Sequence, residues 1–383
     1  MSESLATFAA KINPFFMKKI SQNASLLPYN TFRMDVKAAI FAEYDNVDEL
    51  HEILNDPSVA ALMQAEKSKG HLPFWHIGSG SNLLFTGDYP GVVLHCKSTG
   101  IRIVPSAGTA SPDEDGNEDE CLLEVEAGTV WDDVCAYCAE KGLYGPENLS
   151  LIPGETGAAA VQNIGAYGVE ISDLVEKVIC WDIETDKERI FDCNEMGYGY
   201  RESRLKHEAD KARFVVIRVV LRVQRKPKLH LEYEGIQKAL GIDIQANPEA
   251  VGKLSPQEVR NAVIRIREGK LPDPKEVGNA GSFFKNPVVE NAVFERLLAQ
   301  YPDMKHWAVG KSHTKIPAGW MIEKCGWKGK SLGRAGVYEK QSLVLVNRGG
   351  AEPQEIVRLC RTIIDDVEKK FGIRLEPEVN LIG

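Results

Sequence analysis

Residues 152–170 read IPGETGAAAVQNIGAYGVE. Gly154, Gly157 and Gly165, with alanines at 158–160, leave little side chain along this stretch, so its backbone can come close to a flat ligand. Ile152-Pro153-Gly154 leads into the stretch, and Gln162, Asn163 and Tyr167 offer polar groups to the edges of a ring. The same pattern also suits a tight crossing of two elements. A second glycine-rich stretch, GSGSNL at 78–83, follows a predicted strand at 73–77. It departs from the dinucleotide pattern G-x-G-x-x-G, because Leu83 stands at the third glycine and an apolar run, not a helix, follows. Exposed N–H groups of Gly78, Ser79, Gly80, Ser81 and Asn82, with the two serine hydroxyls, suit a pyrophosphate nest; a plain turn is the alternative. Two such stretches in one chain favour a large, rigid, phosphate-bearing cofactor.

The 383 residues suffice for about two or three domains. With 43% hydrophobic and 26% charged residues, the composition is that of an ordinary globular protein. A formal net charge of −9 argues against general nucleic-acid binding, which needs a basic footprint. An anionic small molecule would need a locally basic pocket. No apolar run is long enough for a secretory signal or a membrane span, and the eight cysteines are scattered, so a reducing cytoplasm is expected. Cys135-Ala136-Tyr137-Cys138 is a C-x-x-C inside a helical pattern without a second pair at zinc spacing; it reads as buried helix cysteines, and no metal site is expected.

Along the chain, helices are predicted at 46–55, 131–141, 290–300 and 318–325. Another starts at the capping box Ser255-Pro256-Gln257-Glu258 and ends near Gly269, and a long one covers 353–371. Strands are predicted at 73–77, 91–96, 101–105, 122–126, 214–224 and 342–347. Residues 1–29 suggest a short amphipathic helix broken at Pro14, and the acidic run at 111–120 a solvated hairpin tip. Leu271-Pro272-Asp273-Pro274 is a stiff linker and a candidate boundary. Strands and helices interleave, with strands too many and too closely spaced for a pure βαβ array, so the fold class is α+β.

Chemistry concentrates at GNAGSFFKNP, 278–287. Ser282 is a lone hydroxyl, with the ammonium of Lys285 and the amide of Asn286 behind it; a proton donor beside an anion-binding group and a tight turn with two core phenylalanines are both open. In GYGYR, 197–201, Arg201 offers bidentate grip on a carboxylate, or stacks on its neighbours at the surface. Glu376 and Glu378 share a face if extended. Arg265, Arg267, Lys270 and Lys275 form a basic run, either a solvated helix face or a diphosphate site.

Taken together, NTF (30–32), GSGSNLLF (78–85), 152–170, GYGYR, KLPDPK (270–275), GNAGSFFKNP, AGW (318–320) and LEPEV (375–379) resemble the UDP-N-acetylenolpyruvoylglucosamine reductase (MurB) family, in the family's order from residue 30 onward. The resemblance implies a vanillyl-alcohol-oxidase-type FAD-binding region of two α+β subdomains, 1–88 (completed by 372–383) and 89–270, and an α+β substrate-binding domain at 271–371. It implies a bacterial, cytoplasmic, monomeric enzyme of peptidoglycan precursor synthesis, with FAD as cofactor and NADPH as reductant. Hydride passes from flavin N5 to UDP-GlcNAc-enolpyruvate, giving UDP-N-acetylmuramate. Ser282 corresponds to the proton donor, and Arg201 and Glu378 to the groups at the substrate carboxylate. The turn at 78–82 would hold the pyrophosphate, and 152–168 would lie along the flavin. Tyr200, Tyr233, Lys270, Asn286 and Gln341 would bind the UDP diphosphate and neighbouring groups, the Tyr233 and Gln341 matches resting on the short stretches LEY and QSLVLVN. Ala158 and Ala159 stand where some relatives carry serines. The 301–317 segment resembles a substrate-capping loop with Trp307, rather than Tyr301, in the capping place. A flavin-dependent alcohol oxidase would explain 78–168 but not 270–287 or LEPEV. A sugar-nucleotide sensor would have little use for Ser282, Arg201 and Glu378 together.

Overall fold

The computed structural model describes residues 19–105 and 119–383. Three sheets carry the architecture. The first has four strands in the order Ile20–Ser25, Lys37–Tyr44, Tyr89–Cys96, Phe74–Ile77; its first pair is antiparallel and the other two pairs are parallel. The second is an antiparallel five-stranded sheet in the order Lys187–Asp192, Val175–Asp182, Phe214–Gln224, Glu120–Glu126, Ile101–Val104. The third pairs Gly278–Ser282, Val344–Asn347, Ala335–Val337 and Ser331–Leu332. Mixed parallel and antiparallel pairing, with helices packed between, meets the α+β expectation.

Strand alternation explains how the first sheet serves two cores. Ile40, Ala42, Tyr44, Val92 and Leu94 face one core together with Leu123, Val125, Trp131 and Val219 of the second sheet region. Phe41, Ile77 and Val93 face the other, which runs into Phe283, Phe284, Ile363 and Val367 of the C-terminal part. The helix Pro353–Phe371 is amphipathic, burying Ile356, Leu359, Cys360, Ile363, Ile364, Val367 and Phe371 at helical spacing. It ends at Gly372 in the left-handed region, φ 68°, the usual device for stopping a helix. The chain then crosses back, and Asn380–Ile382 pairs in parallel with Leu83–Phe85, immediately after the 78–82 turn.

Most predicted elements appear within a residue or two. Corrections are specific. Ile20–Ser25 is an edge strand, not part of a helix; it is mostly exposed on both faces, so no periodicity betrayed it. The helix Pro57–Ser68, opened by an Asp56 side chain that caps Ser58 and Val59, and the strands Val175–Asp182 and Lys187–Asp192 were not anticipated. Residues 1–18, including Pro14, and most of the acidic run lie outside the described residues. The strand Tyr89–Cys96 pairs within the first sheet, between Lys37–Tyr44 and Phe74–Ile77. Cys135 and Cys138 are buried on the helix Trp131–Glu140, where loss of water pushes both thiols up. Among the described residues, no helix is long and apolar enough to cross a membrane, and no group of three or more His, Cys, Asp or Glu could hold a metal ion.

Candidate active site

A cleft of about 230 Å³ opens between the 75–83 segment, the 152–165 stretch and the strand Gly278–Ser282. It is walled by Gly78, Gly80, Ser81 and Asn82 on one side and by Ile152, Pro153, Gly154, Gln162 and Gly165 on another, and Arg201, Ser282 and Glu378 also line it. An adjoining cavity of about 100 Å³ continues it past Gly157 and Lys211, sharing Gly78, Glu155 and Gln162.

The 78–82 turn presents a row of free backbone donors. Among the described residues, the backbone N–H groups of Ser79, Gly80, Ser81 and Asn82 donate to no protein group. Unspent donors on consecutive residues are what a phosphate requires. Gly80 sits at φ 67°, and a Cβ there would lie 2.0 Å from the Tyr29 carbonyl oxygen, so both space and backbone demand glycine. The serine hydroxyls do a different job from the one expected. Ser79 Oγ donates to Glu155 Oε1 (3.0 Å) and Ser81 Oγ to the Pro153 carbonyl (2.9 Å), stapling the two glycine-rich stretches together. Asn82 Nδ2 adds a third staple to Gln162 Oε1 (3.1 Å). Ser79 itself does not line the cleft.

The chemical end is assembled by backbone pairing. The Glu378 N–H donates to the Phe283 carbonyl (2.8 Å), and the Lys285 N–H to that of Glu376 (2.9 Å). This zips 283–285 against 376–378 and brings Ser282 and Glu378 to one wall. Phe283 and Phe284 are fully buried, so the stretch is core and site at once. Ser282 ends the strand Gly278–Ser282, and among the described residues its hydroxyl makes no hydrogen bond, leaving its proton free for a ligand.

Arg201 holds a left-handed backbone, φ 56°, uncommon for a residue with a side chain. Lys206 Nζ donates to its carbonyl (2.6 Å). The guanidinium donates to Glu378 Oε1 (2.8 Å), the Gly165 carbonyl (2.5 Å) and the Asn163 carbonyl (3.3 Å). A Cβ on Gly165 would sit 2.8 Å from Arg201 Nη1, so this glycine permits the arginine's approach. Burial pushes the Glu378 carboxyl up, and the nearby Arg201, Lys206 and Lys285 cations only partly oppose it. Arg267, also in the wall, has a buried Nε without a partner among the described residues. The cleft therefore holds two cations, Arg201 and Arg267, beside two carboxylates, Glu378 and Glu155.

Other expected residues stand beside the cleft. Asn163 is fully buried at φ 43° and ties Gly199 and Glu170 through its side chain; it is a brace beneath the wall. Tyr167 packs edge-on against Tyr233, ring centroids 5.0 Å apart, away from the lining. Tyr233 is exposed, and Lys270 Nζ is 3.5 Å from its hydroxyl. Tyr200 accepts from the Asn286 N–H (3.4 Å), while Asn286 Oδ1 accepts from the Ala318 N–H and Gln341 Oε1 from the Leu343 N–H. Trp307 is 47% exposed, whereas Tyr301 packs on Trp320 and Phe371. Sequence reading missed Glu155, Trp75, His76 and Asn380 in the walls. Only Glu155 had a signal, a carboxylate inside the glycine-rich IPGETG.

A model of the UDP-N-acetylenolpyruvoylglucosamine reductase C-terminal domain matches residues 273–382, and one of an FAD binding domain matches 55–193. The UDP-N-acetylenolpyruvoylglucosamine reductase of Bacteroides fragilis (strain YCH46) is 45% identical over 95% of this chain and 100% of its own length. The chain belongs to the UDP-N-acetylenolpyruvoylglucosamine reductase family. The Pseudomonas aeruginosa PAO1 member is 42% identical over 95% of this chain and 99% of its own. The crystal structure of the Thermus caldophilus reductase shares the fold, with a TM-score of 0.61 at 22% identity, covering 94% of this chain and 98% of that one. The chain is thus an oxidoreductase of this family with an FAD-binding domain, and FAD is its cofactor.

Proposed function

We propose that the chain reduces the enolpyruvyl ether of UDP-GlcNAc-enolpyruvate to UDP-N-acetylmuramate, taking its electrons from NADPH. The observation that carries this reading is the convergence of Ser282, Arg201 and Glu378 on a cleft whose far wall is the unspent anion nest at 78–82. The residues fit a dinucleotide: N–H donors for a diphosphate at one end, and a glycine- and alanine-lined wall for a flat ring along 152–165. Ile152, Pro153, Gly154, Gly157, Gln162 and Gly165 would bound that ring, while Asn163 and Tyr167 support it from behind. FAD, when bound, supplies hydride to the vinylic carbon of the substrate.

What the chain contributes is charge and a proton. Hydride addition leaves negative charge on the adjacent carbon and carboxylate. The fixed Arg201 guanidinium meets that charge where it develops, which favours the transition state over the ground state. Ser282 is a weak acid, but an enolate carbon is basic enough to take its proton. Glu378, its pKa raised by burial, holds a proton beside the carboxylate more readily than an exposed glutamate would. Tyr200, Tyr233, Lys270, Asn286 and Gln341 would hold the UDP portion, with Trp307 over it. We also place the division of the chain after Cys96 rather than at 88, because that keeps the first sheet whole; the return of 380–382 to 83–85 supports a first unit completed by the C-terminus.

The test is a visible spectrum of the purified protein, then anaerobic addition of NADPH and of the enol ether. Bleaching on the first addition and recovery on the second is the expected result. Recovery with oxygen but not with the enol ether would favour an oxidase.

A further inference from the structure

Glu155 presents a problem for the cofactor reading. Its side chain is only 11% exposed, it lines both cavities, and it lies directly under the nest: a Cβ on Gly78 would come within 2.9 Å of Glu155 Oε2. A buried carboxylate there repels a diphosphate. The structure also supplies a countercharge. His95, on the central strand Tyr89–Cys96 and only 12% exposed, is 3.2 Å from Glu155 Oε1 through Nε2 and 2.9 Å from Glu43 Oε1 through Nδ1. Two carboxylate oxygens, one at each ring nitrogen, call for two N–H donors, which only the imidazolium has. The line continues outward through Tyr29, whose hydroxyl donates to Glu43 (3.2 Å), and inward through Ser79, whose hydroxyl donates to the same Glu155 oxygen (3.0 Å).

We infer that His95 is a positioning residue for the cofactor diphosphate: as a cation clamped between Glu43 and Glu155, it offsets the Glu155 charge beneath the 78–82 turn and keeps that nest receptive to a dianion. This rests on the reading of the turn as the FAD diphosphate site.

Burial disfavours the charged ring, but hydrogen bonds to Glu155 and Glu43 outweigh it and hold the His95 pKa above its ordinary value. His95 therefore carries its charge at low pH and loses it as pH rises through that raised value, so FAD affinity falls in the same direction. The other groups facing the clamp do not share this range. His76, on the neighbouring strand, is buried and held down to about 3; Cys96 is pushed up to about 11 and Tyr29 to about 12; burial pushes Tyr44 up as well. Lys211, in the adjoining cavity, is lowered by burial to about 8 and would titrate nearby. Its effect does not pass through Glu155, so the two are separable.

The experiment is a titration of flavin-stripped protein with FAD, read by flavin fluorescence, from about pH 6 to 9. Wild type is expected to lose affinity about tenfold or more across that range, one power of ten for each pH unit by which binding shifts the imidazole. Glu155→Gln, which keeps an oxygen for Ser79 and His95 but removes the charge, is expected to flatten the profile and to bind FAD more tightly than wild type at the alkaline end. His95→Gln is expected to bind weakly throughout, with His95→Gln/Glu155→Gln regaining affinity. If His95→Gln fails to fold, the Glu155→Gln profile decides alone. A slope that survives Glu155→Gln assigns the effect to Lys211 and overturns the inference, as does a flat wild-type profile with tight FAD binding; that last result would leave the FAD reading intact. Absence of FAD binding at every pH would remove both.

Discussion

Arg201 Nε lies 2.8 Å from Glu378 Oε1, closing a loop of 177 residues with an ion pair whose side chains are 17% and 16% exposed. The arginine spends its donors on three rigid acceptors, Glu378 and the carbonyls of Gly165 and Asn163, so its position is fixed before any ligand arrives. A lysine carries the same charge but cannot span that fork. Arg201→Lys is expected to slow reduction of the enolpyruvyl ether by ~10²-fold or more, the scale for losing one preorganised donor. Flavin reduction by NADPH should suffer less, which separate stopped-flow measurements of the two half-reactions would show. Equal losses in both would point to a structural role alone.

Ser282 differs from Arg201 in having no partner to lose among the described residues. Ser282→Ala therefore removes a proton donor without unsettling the wall, and the strand pairing of residue 282 with Val344 is untouched. Flavin binding and its reduction by NADPH should stay near wild type, while substrate reduction drops by at least the ~10²–10⁴-fold typical of lost proton transfer. Turnover close to normal would take Ser282 out of the mechanism.

Gly80 tests the nest. At φ 67° an alanine is strained, and its Cβ would meet the Tyr29 carbonyl at 2.0 Å. Local strain of this kind costs ~1–3 kcal/mol, and here it would be relieved by moving the backbone whose N–H groups form the anion site. Gly80→Ala should purify with less bound flavin, read as the ratio of visible to ultraviolet absorbance, and melt earlier. A fully yellow variant of normal thermal midpoint would refute the placement of the diphosphate at this turn.

The fold was legible wherever a side chain's burial left a period in the sequence. Phe214–Gln224, buried on one face and half-buried on the other, was readable to the residue, and so was the long helix Pro353–Phe371. Ile20–Ser25 was not, because an edge strand that buries almost nothing has no reason to alternate. Within the site, Ser282, Arg201 and Glu378 stood out by motif, but what joins them did not. The pairing of 283–285 with 376–378 is long-range backbone bonding, which no local pattern encodes. Ser79 and Ser81 were recognised as part of a nest; that their hydroxyl protons go to Glu155 and Pro153 depends on how two distant loops meet. The Asp132 clamp on Arg260, two bonds of 2.6 and 2.9 Å, is another long-range contact of this kind, and Asp132 Oδ1 also accepts from the Leu151 N–H just ahead of Ile152.

Glu147 offers a test of burial itself. The residue is 2% exposed, its carboxylate accepts from the Gly145 N–H (2.6 Å), and no cation pairs with it among the described residues. Loss of water raises its carboxyl from 4.5 to about 7. The sign follows from the raised value: the folded state keeps a proton that the unfolded chain has released, so the stability this group contributes is whole below 4.5 and is lost as pH climbs through about 7. Moving a pKa from 4.5 to about 7 corresponds to about 3 kcal/mol, an order-of-magnitude figure. Glu147→Gln keeps an oxygen for the Gly145 N–H and carries no charge to bury. Its thermal midpoint should match that of wild type at about pH 4.5 and exceed it by several degrees at about pH 8, where the wild-type carboxylate is ionised within the core. Parallel midpoints across that interval would show that Glu147 reaches water when it ionises.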